Sequence, residues 1–192
     1  MLSLTEFQKN FGTLPVSDTL VQLLTFQDTI PEGAFYAEGF QLCLLQNEGI
    51  RSYSEDEEFL CSLIEFAQAG WTGSTYALWI NEPTKSLEEM PVVVFGSEGG
   101  YHVIAQNIVE LIRLLTLDTE PLVDWEKVSY YKDESDCISS SCAHEYKAWV
   151  LSTFQLNSIE TTDEADDSIK QAQRLYQDAF HNWINRYIPE RT

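Results

Sequence analysis

Apolar positions along this chain change their period several times, and each change marks the border of a predicted element. Between Tyr76 and Leu115 the pattern is the most regular. A β-prone segment through Trp79 leads into a Pro-marked connection. An apolar run, Val92-Val93-Val94-Phe95, is followed by the turn formers Gly96-Ser97-Glu98-Gly99-Gly100 and a second β-prone run from Tyr101 to Ala105. The period then shifts to three and four, with Ile108, Leu111, Ile112 and Leu115 on one face. Asn107 stands at the N-cap position and Glu110 three residues on, as in a capping box.

Elsewhere the same rules predict further elements. Ser3-Leu4-Thr5-Glu6 starts a short helix ending near Phe11-Gly12, and Ser17-Asp18 open a second. Pro31-Glu32-Gly33 reads as a turn, and Phe35 to Leu45 as one or two strands broken at Gly39. Ser54-Glu55-Asp56-Glu57 matches a capping box, predicting a helix whose inner face is Phe59, Leu60, Leu63, Ile64 and Ala67 and which stops at Gly70. Val123 to Tyr131 fits a strand or a loop. Asp133 to Ser141 is polar and serine-rich, the texture of a mobile excursion, and Ala143 to Leu156 has a mixed helical pattern. The strongest helix runs from about Asp166 to Tyr187, where Ile169, Ala172, Tyr176, Ala179, Phe180, Trp183, Ile184 and Tyr187 share one face.

Some of these residues also carry a family likeness. They are Trp79, the lead-in Leu87-Glu88-Glu89-Met90-Pro91, the run Val92 to Phe95, Gly96-Ser97-Glu98-Gly99, and the closing helix with Ile108, Leu111 and Leu114-Leu115. Leu14-Pro15 and the pattern Leu20 to Phe26 are an earlier echo. In these positions the chain resembles the SUKH superfamily, which joins fungal regulators of cell-wall glucan synthesis to a large set of bacterial immunity proteins. The likeness covers roughly the first 120 residues. It departs from the family after the early helix, where the usual Asn-Gly-Gly is replaced by Gln27-Asp28-Thr29-Ile30-Pro31-Glu32-Gly33, and residues 121–192 have no counterpart in it. Pattern and resemblance together predict an α+β fold: a mostly antiparallel sheet of about four to six strands flanked by helices, packed to one side of it. Residues 1–120 are expected to form the SUKH-like domain, and 121–192 a mainly helical extension packed on it. The function the resemblance implies is recognition, not catalysis. Its leading form is an immunity protein that binds and neutralises a cognate bacterial toxin, and the alternative is an intracellular regulatory scaffold.

Charge narrows the partner. The chain holds 31 acidic and 11 basic side chains among 192 residues, a net charge of −20. Residues 1–120 account for 18 acids against 4 bases and 121–192 for 13 against 7, so the excess lies in the family-like part. There is no basic surface to displace counterions from phosphates, which disfavours nucleic acid. A basic protein, such as a toxin domain with a basic substrate groove, is favoured, although acidity also serves solubility. The amino terminus lacks the basic and apolar regions of a signal peptide, no run is long enough for a membrane span, and Cys43, Cys61, Cys137 and Cys142 show no disulfide framework. The expected location is the cytoplasm.

The chemistry-bearing groups are few. Cys137-x4-Cys142-Ala143-His144 is the nearest approach to a metal site, but its spacing is not that of a zinc module and no second pair faces it, so neither metal nor cofactor is expected. His102 and His181 read as satisfied surface histidines. Gly96, Gly99 and Gly100 read as a hairpin turn, since a strand intervenes before the helix and the phosphate-loop lysine is absent; no nucleophile elbow is present, which leaves an unrecognised hydrolase as the weakest alternative. The candidate partner-binding residues are Glu55, Asp56, Glu57, Glu58, Glu88, Glu89 and Glu98 as an anionic face, with Trp71 as an aromatic anchor. The tetrad also suits a helix start for purely electrostatic reasons, and a tryptophan such as Trp71 more often folds back on its own core.

Overall fold

The computed structural model describes residues 2–132 and 139–188. Five strands form one antiparallel sheet in chain order: β1 (Gln41–Leu42), β2 (Leu63–Gln68), β3 (Thr75–Trp79), β4 (Val92–Phe95) and β5 (Tyr101–Ala105). Helices α1 (Leu4–Phe7), α2 (Asp18–Gln27), α3 (Glu57–Cys61), α4 (Ile108–Leu114), α5 (Ala143–Phe154) and α6 (Thr162–Ile184) surround it. A small hairpin, β6 (Pro121–Val123) with β7 (Val128–Tyr130), stands at one end. This is the expected α+β architecture.

Helices cover both faces of the sheet and not one side as expected, because the central strands are continuous apolar runs without alternation and leave no polar face for water. On the first face Ile64, Phe66, Tyr76, Leu78, Val92, Val94 and Ile104 pack under Leu20, Leu23 and Leu24 of α2, Ile108, Leu111 and Ile112 of α4, and Tyr146 and Val150 of α5. On the second, Leu63, Ala77, Trp79, Val93, Phe95 and Val103 pack under Ile50, Phe59 of α3, and Ala172, Phe180 and Ile184 of α6. Aromatic rings lock this layer: Trp183 stacks on Phe59 at 5.7 Å, and Phe180 meets Trp79 edge to face at 5.1 Å.

Several elements differ from the sequence reading. The helix expected to reach Gly70 stops at Cys61, and Leu63, Ile64 and Ala67 belong to β2. Those positions match a helical stripe, but a strand buried on both faces carries apolar residues at any spacing, and pairing with β1 and β3 decides the outcome. The cap is Asp56, not Ser54; its carboxylate accepts the Glu58 and Phe59 N–H groups at 2.9 and 3.1 Å. Of Phe35 to Leu45 only Gln41–Leu42 is a strand, and Val123 to Tyr130 falls within the hairpin, with Tyr131 just beyond it. The final helix begins earlier than expected, at Thr162, because Thr161 and Glu164 form a reciprocal capping box. On its stripe Ala179 is exposed, while Tyr176, Trp183 and Tyr187 are half-buried. Most of the serine-rich excursion lies outside the described residues.

Helix side chains satisfy the backbone at both edges of the sheet. At β1 the Leu42 N–H donates to Gln27 Oε1 (2.8 Å) and Gln27 Nε2 donates to the Leu42 carbonyl (3.0 Å). At β5 the Val103 N–H donates to Gln177 Oε1 (2.8 Å) and its carbonyl accepts from Gln173 Nε2 (3.2 Å). Among the described residues no helix is long and apolar enough to cross a membrane.

Candidate functional site

The β2–β3 turn, the β4–β5 turn and the β6–β7 hairpin meet at one end of the sheet. Two glycines make the junction possible. Gly99 and Gly100 adopt φ of +108° and +84°, and a Cβ on Gly99 would lie 2.3 Å from the Trp125 ring, and one on Gly100 2.0 Å from the Asp124 carbonyl oxygen. The hairpin therefore rests directly on the turn, and His102, beneath it, donates from Nε2 to the Asp124 carbonyl (2.8 Å).

This end presents large apolar groups to solvent: Trp71 is 52% exposed, Leu122 60% and Trp125 49%. Trp71 is nevertheless held. Its indole N–H donates to Glu38 (2.6 Å), its backbone N–H to Glu120 (3.3 Å), and its ring meets Phe35 edge to face at 4.6 Å. Partial burial and the neighbouring Glu38 raise the Glu120 carboxyl above its ordinary range, while the Trp71 N–H opposes that shift. Glu98, Asp124 and Glu126 surround the same end, with Lys127 in the hairpin turn.

Beside the junction a cleft of about 510 Å³ opens between the β4–β5 turn and the 3₁₀ turn Ile50–Ser52; its lining includes Glu48, Tyr53, Thr75, Ser97, Glu98 and Trp125. The Tyr53 hydroxyl donates to the Gly96 carbonyl and approaches that of Gly100 at 3.1 Å. Burial holds this phenol protonated far above the ordinary tyrosine range. Under the cleft lies Glu65, a fully buried carboxyl on β2. It accepts the Thr75 hydroxyl (2.6 Å) and the Gly49 N–H (3.1 Å), and burial raises its pKa.

The sequence candidates fall at different places. Trp71 and Glu98 reach the hairpin end. Glu55, Asp56, Glu57 and Glu58 form the first turn of α3 and its approach, starting two residues after Tyr53; Asp56 serves as cap, and Glu58 is 3.8 Å from Arg186 in a solvent-exposed pair. Glu88 and Glu89 precede β4 and so lie at its opposite end from Glu98. Glu88 turns inward, accepting the Thr19 N–H (2.8 Å) in the first turn of α2. Glu65, Glu38, Glu120 and Trp125 were not singled out from the sequence. The one available signal was Glu65, a lone acid inside Leu63-Ile64-Glu65-Phe66-Ala67.

His102 is buried, not on the surface, and burial lowers its pKa despite the Asp124 carbonyl. His181 is half-buried and bonded to Gln177. Among the described residues no Ser, Thr or Cys side chain shares a hydrogen bond with a histidine, and no group of three or more His, Cys, Asp or Glu is placed to hold a metal ion. Cys137 of the Cys137–Cys142–His144 run lies outside the described residues; Cys43, Cys61 and Cys142 are free thiols. Comparison with protein-family models, with curated proteins and with solved structures finds no match to this chain.

Proposed function

We propose that this chain is a non-catalytic, cytoplasmic protein-binding module of the SUKH type, an immunity protein that binds and masks a cognate bacterial toxin domain with a basic surface. The observation that carries the reading is the hairpin end, where exposed Trp71, Leu122 and Trp125 stand among Glu38, Glu98, Glu120, Asp124 and Glu126. Large, half-exposed aromatics ringed by charge are the composition of a recognition surface: the rings supply buried area on docking, and the charges supply partner choice and encounter rate. A net charge of −20 steers a cationic partner toward it.

The test is co-expression with the C-terminal domain of a secreted protein encoded beside this gene. Restored growth of the host supports the reading, and continued toxicity despite soluble expression of both overturns it. With that domain in hand, association should slow as salt rises, because charges farther apart than about 8–10 Å are screened at physiological ionic strength. Charge reversal at Glu55, Asp56, Glu57 and Glu58 should lower the association rate more than it raises the dissociation rate. A rate indifferent to both salt and these reversals would assign the acidity to solubility alone.

A further inference from the structure

We infer that the cleft over Glu65 is a receptor for one basic side chain, a lysine or arginine. The inference builds on the protein-binding reading above and names the anchor group of the partner.

Carboxylates alone do not define this site; Glu55 and Glu57 are carboxylates too and stand on an open surface. Among the described residues three observations coincide at the cleft. First, it is a cavity of about 510 Å³, and none of the described residues lining it is Lys, Arg or His, whereas Glu48 and Glu98 are among them. Second, Tyr53, Phe95 and Trp125 contribute rings to its lining, and the Tyr53 and Phe95 rings pack edge to face at 5.1 Å. Such walls suit the methylene stem of a long cationic side chain and attract its head through the ring quadrupole. Third, Glu65 lies fully buried beneath the floor without a counter-ion: no ion pair among the described residues includes it.

The third observation distinguishes this cavity from an ordinary surface depression. Buried carboxylates are normally paired, because hydrogen bonds alone leave much of the desolvation cost uncompensated. Glu65 has the Thr75 hydroxyl and the backbone N–H groups of Gly49 and Ile50 but no cation, and both Thr75 and Gly49 line the cleft. Its carboxyl therefore sits one residue below the floor, in low dielectric, where a cationic occupant favours the ionised form more strongly than it would for a solvated acid. The fold enforces the placement: a Cβ on Gly49 would fall 2.3 Å from Glu65 Oε1, so glycine there lets the carboxyl press against the backbone. An incoming ammonium or guanidinium supplies the missing positive charge. An anion meets Glu48, Glu98 and Glu65 together and is excluded by sign.

The experiment titrates the isotope-labelled full chain with N-acetyl-arginine amide, N-acetyl-lysine amide and N-acetyl-norleucine amide, following the backbone amides of residues 96–100 and the Trp125 indole by NMR. The expected result is saturable millimolar binding of the two cationic probes at these signals and none for norleucine. Glu48→Gln with Glu98→Gln should weaken binding about five- to twenty-fold, the effect of removing one or two solvent-exposed charge contacts. Asp166→Asn with Asp167→Asn on α6 should leave it unchanged. Glu65→Gln removes the charge while its amide oxygen still accepts from a backbone N–H of the Gly49–Ile50 turn and its nitrogen donates to Thr75, and it should also weaken binding. Failure to saturate, equal binding of norleucine, or equal weakening by the α6 pair overturns the inference. Toxin neutralisation with an inert cleft leaves the partner reading standing and removes this one; a competent cleft without neutralisation does the reverse.

Discussion

At the β1 edge of the sheet a single amide closes the ladder: Gln27 accepts from and donates to Leu42, 15 residues away. At the β5 edge two amides share the task, Gln173 serving the carbonyl of Val103 and Gln177 its N–H, from 70 and 74 residues away. Both devices hide backbone groups that would otherwise template pairing with another chain. They differ in what must already be folded. The β1 cap needs only α2 and a short connection, whereas the β5 cap needs α6 docked on the finished sheet, and closing the longer loop costs about 1.4 kcal/mol more. The β5 device also recruits an imidazole. Because Gln177 Oε1 faces the Val103 N–H, its Nε2 must face His181 Nε2 (2.6 Å), so that nitrogen accepts and the imidazole proton sits on Nδ1.

This contrast is most severely tested by removing residues 160–192. The loss strips Ala172, Phe180 and Ile184 from the second face and uncovers Phe59, Trp79, Phe95 and Val103 together with the β5 edge; at roughly 1.5–3 kcal/mol for each large side chain, stability should fall by about 5 kcal/mol or more, with self-association. Urea denaturation and light scattering measure both, and a monodisperse fragment with unchanged melting would contradict the assignment. Next comes Gln27→Ala, which strips partners from the Leu42 N–H, the Leu42 carbonyl and the Tyr36 hydroxyl at once. About 2–3 kcal/mol is expected, and a loss under half of that would mean that water replaces the amide. Gln177→Ala removes one acceptor from Val103 and should cost about 1 kcal/mol. Amide exchange at Val103 should quicken while that at Leu42 is unchanged; parallel changes at both edges would show that the caps are not independent.

The gentlest probe is pH. Burial holds the His102 pKa below its ordinary value, so the folded state binds fewer protons than the unfolded one on the acidic side of about 6.5. The stability this contributes is complete above that value and is lost as pH falls through it toward the depressed folded pKa. His102→Gln retains a donor for the Asp124 carbonyl and should therefore gain on the wild type between pH 7.5 and 5. A pH-independent difference would show that the hairpin end does not discriminate against the charged imidazole.

The site was less legible than the fold. Trp71 and Glu98 were readable as an exposed turn aromatic and a turn acid, because glycine spacing announces a turn whatever surrounds it. Glu88 looked equivalent to Glu89, yet it is spent on the α2 amide of Thr19, a contact 69 residues distant that no local pattern encodes. Glu65 was hidden for a related reason: its neighbours matched a helical stripe, so its place under a cleft depended on the pairing of β2 with β3.

What the chain determined by itself is whatever depends on neighbours within one or two turns. The run Val92 to Phe95, the glycine turn after it, and the caps Ser17, Asn107 and Thr161 with their helices follow from backbone sterics and local hydrogen bonds. Only the tertiary structure decided that Leu63 to Gln68 is a strand, that α6 covers the second face, that glutamines close both edges, and that Glu65, Tyr53 and Trp125 converge on one cleft. Burial on both faces removes the alternation by which a strand is recognised, and partners 40 to 75 residues apart, such as Tyr53 with Gly96 and Val103 with Gln177, meet only once the sheet has formed, beyond the reach of any short window of sequence.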